Sequence, residues 1–284
     1  MKRPPEIAHR EADMATIANL TSIFETLASM KIAQVKNQVL EAQKFFAELW
    51  SMYHQIRVDS LFRFGREQMD AEIDKELFIV ITSEGGFSGD IDQKLLDWML
   101  QQFDADKQDI IVIGHHGAIQ LTQAGIPFKK YFKLPSKEQD INVTPLVKYI
   151  GKYRQTTVFY QSYVSLMVQD IKKIELQKAV QEAGKKMAED EEVIDESTYI
   201  FEPSNFAVAA HLERSMVEIS LSQAILQSKL AQYASRFRSM NAAKDKAQDS
   251  RQELHLEYNR TRRAVADERL KETIYGMKKA EANV

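Results

Sequence analysis

Residues 204–275 read SNFAVAAHLERSMVEISLSQAILQSKLAQYASRFRSMNAAKDKAQDSRQELHLEYNRTRRAVADERLKETIY and contain neither glycine nor proline. Inside a helix these two residues cost about 1 and about 3 kcal/mol relative to alanine, so their absence predicts one uninterrupted helix. At 1.5 Å per residue such a helix would be roughly 100 Å long, several times the usual length in globular proteins. A helix of that length must project beyond its own domain.

A second stretch without glycine or proline, residues 6–64, lies near the other end of the chain. Both stretches carry apolar residues at alternating spacings of three and four, which predicts the seam of a coiled coil. In the first stretch, a run of spacings of four between Leu20 and Ile32 predicts a local stutter. Four polar residues interrupt the second seam, namely Gln223, Lys244, Arg251 and Thr261. The predicted seams are Ile17, Leu20, Phe24, Ala28, Ile32, Val35, Val39, Ala42, Phe46, Leu49, Tyr53 and Ile56, and Leu212, Met216, Ile219, Gln223, Leu226, Leu230, Tyr233, Phe237, Met240, Lys244, Ala247, Arg251, Leu254, Tyr258, Thr261 and Val265.

The segment between these stretches holds nine of the ten glycines and alternates strand-like with helix-like pieces. Strands separated by helices predict a parallel sheet with helices on its faces. The predicted pieces are strands at 77–82, 109–114 and 157–164, helices at 91–102, 116–124 and 143–153, a solvated loop at 181–197 and an extended piece at 198–201.

These patterns predict an α/β fold: a long antiparallel coiled coil of the N- and C-terminal helices, plus a central Rossmann-like α/β domain. The predicted boundaries are 6–64 for the first helix, 72–202 for the head domain and 204–279 for the last helix. An ordinary bundle of the two helices with the middle segment is the alternative.

Composition excludes several classes of function. The chain has no cysteine, which excludes disulfides, thiol nucleophiles and thiolate metal sites, and its formal net charge is only −3. No apolar run approaches the roughly 20 residues that cross a bilayer, so any membrane association is expected to be peripheral. The start of the chain lacks the apolar core of a secretion signal, and we expect a cytoplasmic protein.

No catalytic, cofactor-binding or metal-binding set of residues can be identified. The glycine turn, residues 83–89 (SEGGFSG), fits neither the G-x-G-x-x-G spacing nor a Walker motif, and Glu84 would repel phosphate. His115 and His116 are adjacent and point in divergent directions, so we interpret both as structural residues. The turn is likewise interpreted as structural.

The last helix is basic. Residues 229–279 contain thirteen Lys and Arg against seven Asp and Glu, whereas the rest of the chain is acidic. A solvated helix face is one interpretation, and a nucleic-acid arm is disfavoured because acidic residues are interleaved and aromatic residues are sparse. The third interpretation is contact with acidic loops of a surrounding protein. Arg262 and Arg263 are its strongest feature, because guanidinium groups bind carboxylates at two points.

Four segments resemble the gamma subunit, the central shaft, of rotary ATP synthases. They are 20–32 (LTSIFETLASMKI), 80–89 (VITSEGGFSG), 199–204 (YIFEPS) and 236–276, which contains the run LEYNRTR at 256–262. The likeness spans nearly the whole chain in order. Gly85 and Ser88 stand where the family commonly has arginine and cysteine, and residues 262–269 (RRAVADER) also depart from the family pattern, as in a divergent member.

The resemblance implies a non-catalytic subunit without cofactors, the shaft of a peripheral complex on the cytoplasmic face of a bacterial inner membrane. Its implied partners are three alpha and three beta subunits, an epsilon subunit and the membrane c ring. It implies that Arg262 and Arg263 meet a beta catch loop, that Lys31 faces the beta lever region, and that Tyr199, Phe201 and Glu202 lie near the c ring. For Tyr199 and Phe201, burial in the head core is an equal alternative.

Three other hypotheses stay open at this stage. The chain could serve a specialised or sodium-translocating F-type ATPase, it could be a non-rotary coiled-coil scaffold, or its α/β head could be a nucleotide-dependent enzyme. A scaffold would purify as a homo-oligomer, and an enzyme would bind ATP or a dinucleotide saturably.

Overall fold

The computed structural model describes residues 3–56, 73–135, 141–176 and 205–281. The elements are α1 (Pro4–Ile56), β1 (Ile73–Ile81), α2 (Ile91–Leu100), β2 (Gln108–Ile113), α3 (His115–Gln123), β3 (Lys130–Phe132), α4 (Thr144–Ile150), β4 (Tyr153–Tyr163), β5 (Gln169–Glu175) and α5 (Asn205–Glu281). The chain forms two compact units, one of Met1–Leu27 with Phe237–Val284 and one of Ala28–Arg236. None of the described helices is long and apolar enough to cross a membrane.

Two long helices flank the sheet in sequence, as predicted. The first, α1, has 53 residues and begins at Pro4, where a proline is tolerated because the first helical N–H has no partner within the helix. The last, α5, has 77 residues without a break. The predicted limits at residues 64, 72, 202 and 204, and the predicted loop and extended piece at 181–201, lie outside the described residues.

The unit of residues 28–236 contains a five-stranded sheet in the order β3-β2-β1-β4-β5. The first four strands are parallel, as expected for strands joined by helices. The last strand, β5, pairs antiparallel with β4 in a hairpin, so the sheet is mixed and the prediction of a purely parallel sheet is wrong for this edge. Exposed Lys172 and Lys173 on β5 obscure its strand pattern, and such charges are typical of edge strands.

The sheet is covered on both faces, as its apolar strands require. Alternate residues of β1 point to opposite faces, with Leu77, Ile79 and Ile81 in one core and Phe78 and Val80 in the other. Helices α2 and α3 cover the second face. The first face is covered by α4 and by one stretch of α5, which contributes Leu221, Ala224 and Ile225. The C-terminal helix is therefore part of the core of the head.

The unit of residues 1–27 and 237–284 contains the antiparallel helix pair that the seams predicted. Lys244 Nζ lies 2.6 Å from Glu25 Oε2, and the two side chains are only 22% and 16% exposed. Further along, Glu11 Oε1 lies 3.2 Å from His255 Nδ1 and 3.9 Å from Arg251 Nε. Because contacts move toward the start of α1 as α5 proceeds, the helices run in opposite directions.

The early part of the predicted α1 seam is wrong. Ile17, Leu20 and Phe24 are 41%, 50% and 38% exposed, and Ala18 and Thr21 are buried instead. With half-buried Glu25 and buried Ala28, the true seam keeps alternating spacings of three and four, so the predicted stutter does not exist. The prediction assigned the largest apolar residues to the seam, whereas the interface contains small residues and an ion pair.

Candidate functional site

The predicted partner-binding residues lie on the two long helices where the structure describes them. Arg262 and Arg263 are both exposed on α5, directly after buried Thr261. Lys31 is half-buried on α1, and its Nζ donates to Gln34 Oε1 at 3.1 Å. The predicted c-ring residues Tyr199, Phe201 and Glu202 lie outside the described residues.

The glycine turn is held by two consecutive side chains of α5. Arg236 donates from Nε to the Gly86 carbonyl at 3.1 Å and from Nη2 to the Gly85 carbonyl at 3.3 Å. Ser235 Oγ donates to the Ser88 carbonyl at 2.6 Å. Burial lowers the pKa of Arg236 from its usual value, although the Asp92 carboxylate opposes the shift. We call these three hydrogen bonds the turn contacts.

Asp92, in the first turn of α2, is a carboxylate with no exposed side-chain surface. It accepts hydrogen bonds from Ser83 N at 3.2 Å, Ser83 Oγ, Gln161 Nε2 at 2.7 Å and His116 Nδ1 at 2.8 Å. The positive end of the helix dipole also favours an anion at this position. The hydrogen bond to Asp92 raises the pKa of His116 above its usual 6.5, and desolvation opposes the shift.

Gln161 of β4 connects Asp92 to α5. Its Oε1 accepts from Ser228 Oγ and from Gln232 Nε2 at 3.2 Å, and Gln232 Nε2 also lies 3.0 Å from Ser228 Oγ. Gln161, Ser228 and Gln232 are all buried. We call Asp92, Gln161, Ser228 and Gln232 the buried polar network.

Glu84 organises the neighbouring strand ends. Its carboxylate accepts from His115 N at 3.1 Å, Tyr131 Oη at 3.0 Å and Leu134 N at 3.2 Å. Burial and this hydrogen bond raise the pKa of Tyr131 to about 12. The residue that would repel phosphate is thus a structural acceptor that connects the ends of β1, β2 and β3.

The buried polar network occupies the place where sheets of this type bind ligands. Their ligand crevice lies beyond the carboxyl ends of the strands, where strand order reverses. In this sheet the reversal falls between β1 and β4, because β2 and β4 lie on opposite sides of β1. Here Gln161 of β4 and the turn after β1 contact Ser228, Gln232 and Ser235 of α5. The chain's own helix fills this crevice.

The buried polar network is fully hydrogen-bonded. Every member has a hydrogen-bond partner, and the buried side-chain atoms without one in the described residues belong to Gln38, Gln120 and Gln169. Among the residues that the structure describes, no group of three His, Asp or Glu could hold a metal ion. The arrangement joins the head sheet to the C-terminal helix through directional bonds.

Sequence reasoning missed this network and the turn contacts. One signal was available: Ser228, Gln232 and Ser235 repeat at spacings of four and three, which places them on one face of α5. Polar residues on an otherwise apolar helix face suggest buried polar partners. No comparable signal marks Asp92 or Gln161, because all their partners except Ser83 lie more than 20 residues away in sequence.

Comparisons with known proteins agree on one family. The family model described as ATP synthase matches residues 5–279. The chain is 23% identical to the ATP synthase gamma chain of Trichlorobacter lovleyi and 21% identical to that of Cytophaga hutchinsonii, in each case over 95% of this chain and 96% of the relative.

Solved structures share the fold. A chain of the Euglena gracilis mitochondrial ATP synthase (OSCP, F1 and c-ring) is 16% identical, with a TM-score of 0.57 over 91% of this chain and 95% of that one. A chain of the Tetrahymena thermophila mitochondrial ATP synthase central stalk and c-ring is 15% identical, with a TM-score of 0.58 over 79% and 99%. The predicted combination of two long terminal helices with a central α/β domain is confirmed.

Proposed function

The chain belongs to the gamma family of ATP synthases, and on this premise we propose that it is the central rotor shaft of an F-type ATP synthase. It couples ion flow through a membrane c ring to ATP synthesis or hydrolysis on a ring of alpha and beta subunits. The subunit itself is non-catalytic. The observation that carries the proposal is the family match over residues 5–279, nearly the whole chain.

The architecture of each unit supports this role. The antiparallel pair of α1 and α5 is expected to resist bending better than one helix does, and its half-buried ion pair between Glu25 and Lys244 fixes how the helices align. In the other unit, α5 is built into the core of the sheet. A nucleotide-dependent enzyme is disfavoured, because side chains of α5 fill the ligand crevice.

The partners follow from the family. Arg262 and Arg263 bind an acidic catch loop of a beta subunit, and their exposure on α5 supports this. Lys31 faces the beta lever region, and Tyr199, Phe201 and Glu202 contact the c ring. An epsilon subunit binds the head, and neither nucleic acid nor membrane insertion is involved. The complex is peripheral on the cytoplasmic face of a bacterial inner membrane.

Purification of the native complex tests the proposal. The chain is tagged at its C terminus in its own cells and isolated from gently solubilised membranes. We expect one copy with three alpha and three beta subunits, epsilon and the c ring. A homo-oligomer that contains neither alpha nor beta would overturn the proposal and favour a coiled-coil scaffold.

A further inference from the structure

We propose that the buried polar network and the turn contacts transmit torque between the head sheet and α5. The inference rests on the proposed rotor function and names the residues of the head that perform one step of it. In a rotor, any twist that enters the head must pass into the long helices before it can act on a surrounding ring, and α5 is one of these helices. That step occurs where α5 meets the sheet.

Apolar packing alone is poorly suited to this step. Leu221, Ala224 and Ile225 hold α5 against one face of the sheet, but the hydrophobic effect depends on buried area and has no direction. A small rotation of the helix about its axis changes the buried apolar area little. Hydrogen bonds weaken steeply with distance and angle, and they therefore resist such a rotation.

The polar contacts bind α5 to several parts of the head. Ser228 and Gln232 bind β4 through Gln161, whereas Ser235 and Arg236 bind the glycine turn after β1. Lys229 Nζ adds a third contact, to the Pro135 carbonyl at 2.8 Å, in the segment that follows β3. Contacts from three separate parts of the head fix both the rotation and the translation of the helix.

The burial of the network increases its resistance to slipping. If α5 turned within the head, Gln161 would lose its partners on the helix while it stayed buried, and an unpaired buried polar group carries its full desolvation cost. Asp92 would then be held by a less well oriented amide. These polar contacts therefore resist rotation of α5 when the helix is under load, a property that apolar packing does not supply.

The test compares two glutamines of one strand. Gln161→Leu removes the connection between Asp92 and α5, and Gln155→Leu is the matched control, because Gln155 of β4 bonds Glu76 and Glu175. Membrane vesicles with each assembled complex are assayed for ATP hydrolysis and for the membrane potential that it generates. A potential-sensitive dye reports pumping whichever cation is moved.

We expect Gln161→Leu to keep hydrolysis within about twofold of wild type while the potential generated per ATP falls at least threefold. The loss should grow as the opposing potential rises, because slipping depends on load. A role in folding alone would lower hydrolysis and pumping together. Gln155→Leu should match wild type in both assays.

If Gln161→Leu pumps like wild type against the highest potential, the inference is overturned and the rotor function stands. If the wild-type chain does not assemble with alpha and beta subunits, the rotor function fails first. If the Gln161→Leu complex cannot be isolated, Ser228→Ala and Ser235→Ala, which each remove one hydroxyl, are assayed in the same way. Unchanged pumping in both would also overturn the inference.

Discussion

His116 is a residue of the head whose charge changes with pH near neutrality. Its Nδ1 lies 2.8 Å from the fully buried Asp92 carboxylate, which also accepts hydrogen bonds from Ser83 and Gln161. Among the described residues, Arg236 of α5 interacts electrostatically with Asp92, and the Glu84 carboxylate binds the N–H of the adjacent His115. The Asp92 carboxylate therefore favours the protonated form of the imidazole and raises the pKa of His116.

We expect this pair to stabilise the fold most in acid. Asp92 raises the pKa of His116 in the folded chain above the unfolded-state pKa of about 6.5. The stabilisation of the fold by this pair is therefore complete below the unfolded-state pKa and is lost as pH rises through the folded-state pKa. The difference in thermal midpoint between wild type and His116→Gln should thus shrink from about pH 6 to pH 8.5. A difference that is constant with pH would contradict the assignment.

Gly114 is required where β2 ends against β1. Its φ is 100°, and an added Cβ would lie 2.1 Å from the Thr82 carbonyl oxygen. Gly125, with φ 70° and open space around it, is the matched control. We expect Gly125→Ala to lower the free energy of unfolding by about 1–2 kcal/mol through backbone strain alone. Urea denaturation should show a clearly larger loss of unfolding free energy for Gly114→Ala than for Gly125→Ala. Equal losses in the two variants would argue against the steric clash.

Arg262 and Arg263 should matter for the complex and little for the fold. Exposed charges contribute about 0–1 kcal/mol to stability, so reversing both to glutamate should leave the thermal midpoint nearly unchanged. The same change should lower the ATPase activity of the assembled complex several-fold. Arg269→Glu, another exposed arginine of α5, is the control, and unchanged activity in the double variant would reject the assigned role.

At the scale of elements, ion pairs set the alignment of α1 and α5. Lys244 and Arg251 interrupt the seam of α5, and Glu25 and Glu11 of α1 lie beside them. Polar residues at such positions are known to specify register, because a shifted alignment leaves charges unpaired. The interruptions in the sequence pattern are therefore part of the interface.

A charge exchange tests this alignment. Glu25→Lys alone places two cations together and should lower the free energy of unfolding by about 1–3 kcal/mol. Combining it with Lys244→Glu should restore most of the loss, because the pair is re-formed in the opposite sense. Denaturant titrations of wild type, Glu25→Lys, Lys244→Glu and the double variant give the coupling energy between the two residues. Additive effects of the two single changes would show that the contact does not contribute to stability.

The sequence predicted the elements that depend on local pattern. The long helices followed from the absence of glycine and proline, and β1, β2 and β4 followed from short β-branched runs such as 109–114. The edge strand β5 was missed, because Lys172 and Lys173 are exposed there. The network around Asp92 was missed for a different reason: Gln161 and the residues of α5 are more than 60 residues apart from their partners on other elements, and only the folded sheet brings them together.

At the scale of the whole molecule, α5 belongs to both compact units. The unit of Ala28–Arg236 contains its first part and the unit with Phe237–Val284 contains the rest, yet its backbone is one helix. We therefore expect the shaft to depend on the continuity of this helix.

Proline at Leu230 tests that continuity. Leu230 is buried in α5 beside Ser228 and Gln232, and proline would remove a backbone hydrogen bond and clash with the preceding turn, at about 3 kcal/mol or more. We expect Leu230→Pro not to co-purify with alpha and beta subunits. Leu230→Ala removes the same side chain without breaking the helix and should still assemble. Normal assembly of Leu230→Pro would contradict the importance of helix continuity.

The filled crevice has a consequence for control of the motor. By placing Ser228, Gln232 and Ser235 where a doubly wound sheet ordinarily admits a small molecule, α5 behaves as a tethered ligand of its own head. A tethered ligand acts at an effective concentration of about the millimolar range, so a free competitor would need a comparable concentration or a higher affinity. We therefore expect that a free small molecule would not displace α5 from this place in the head.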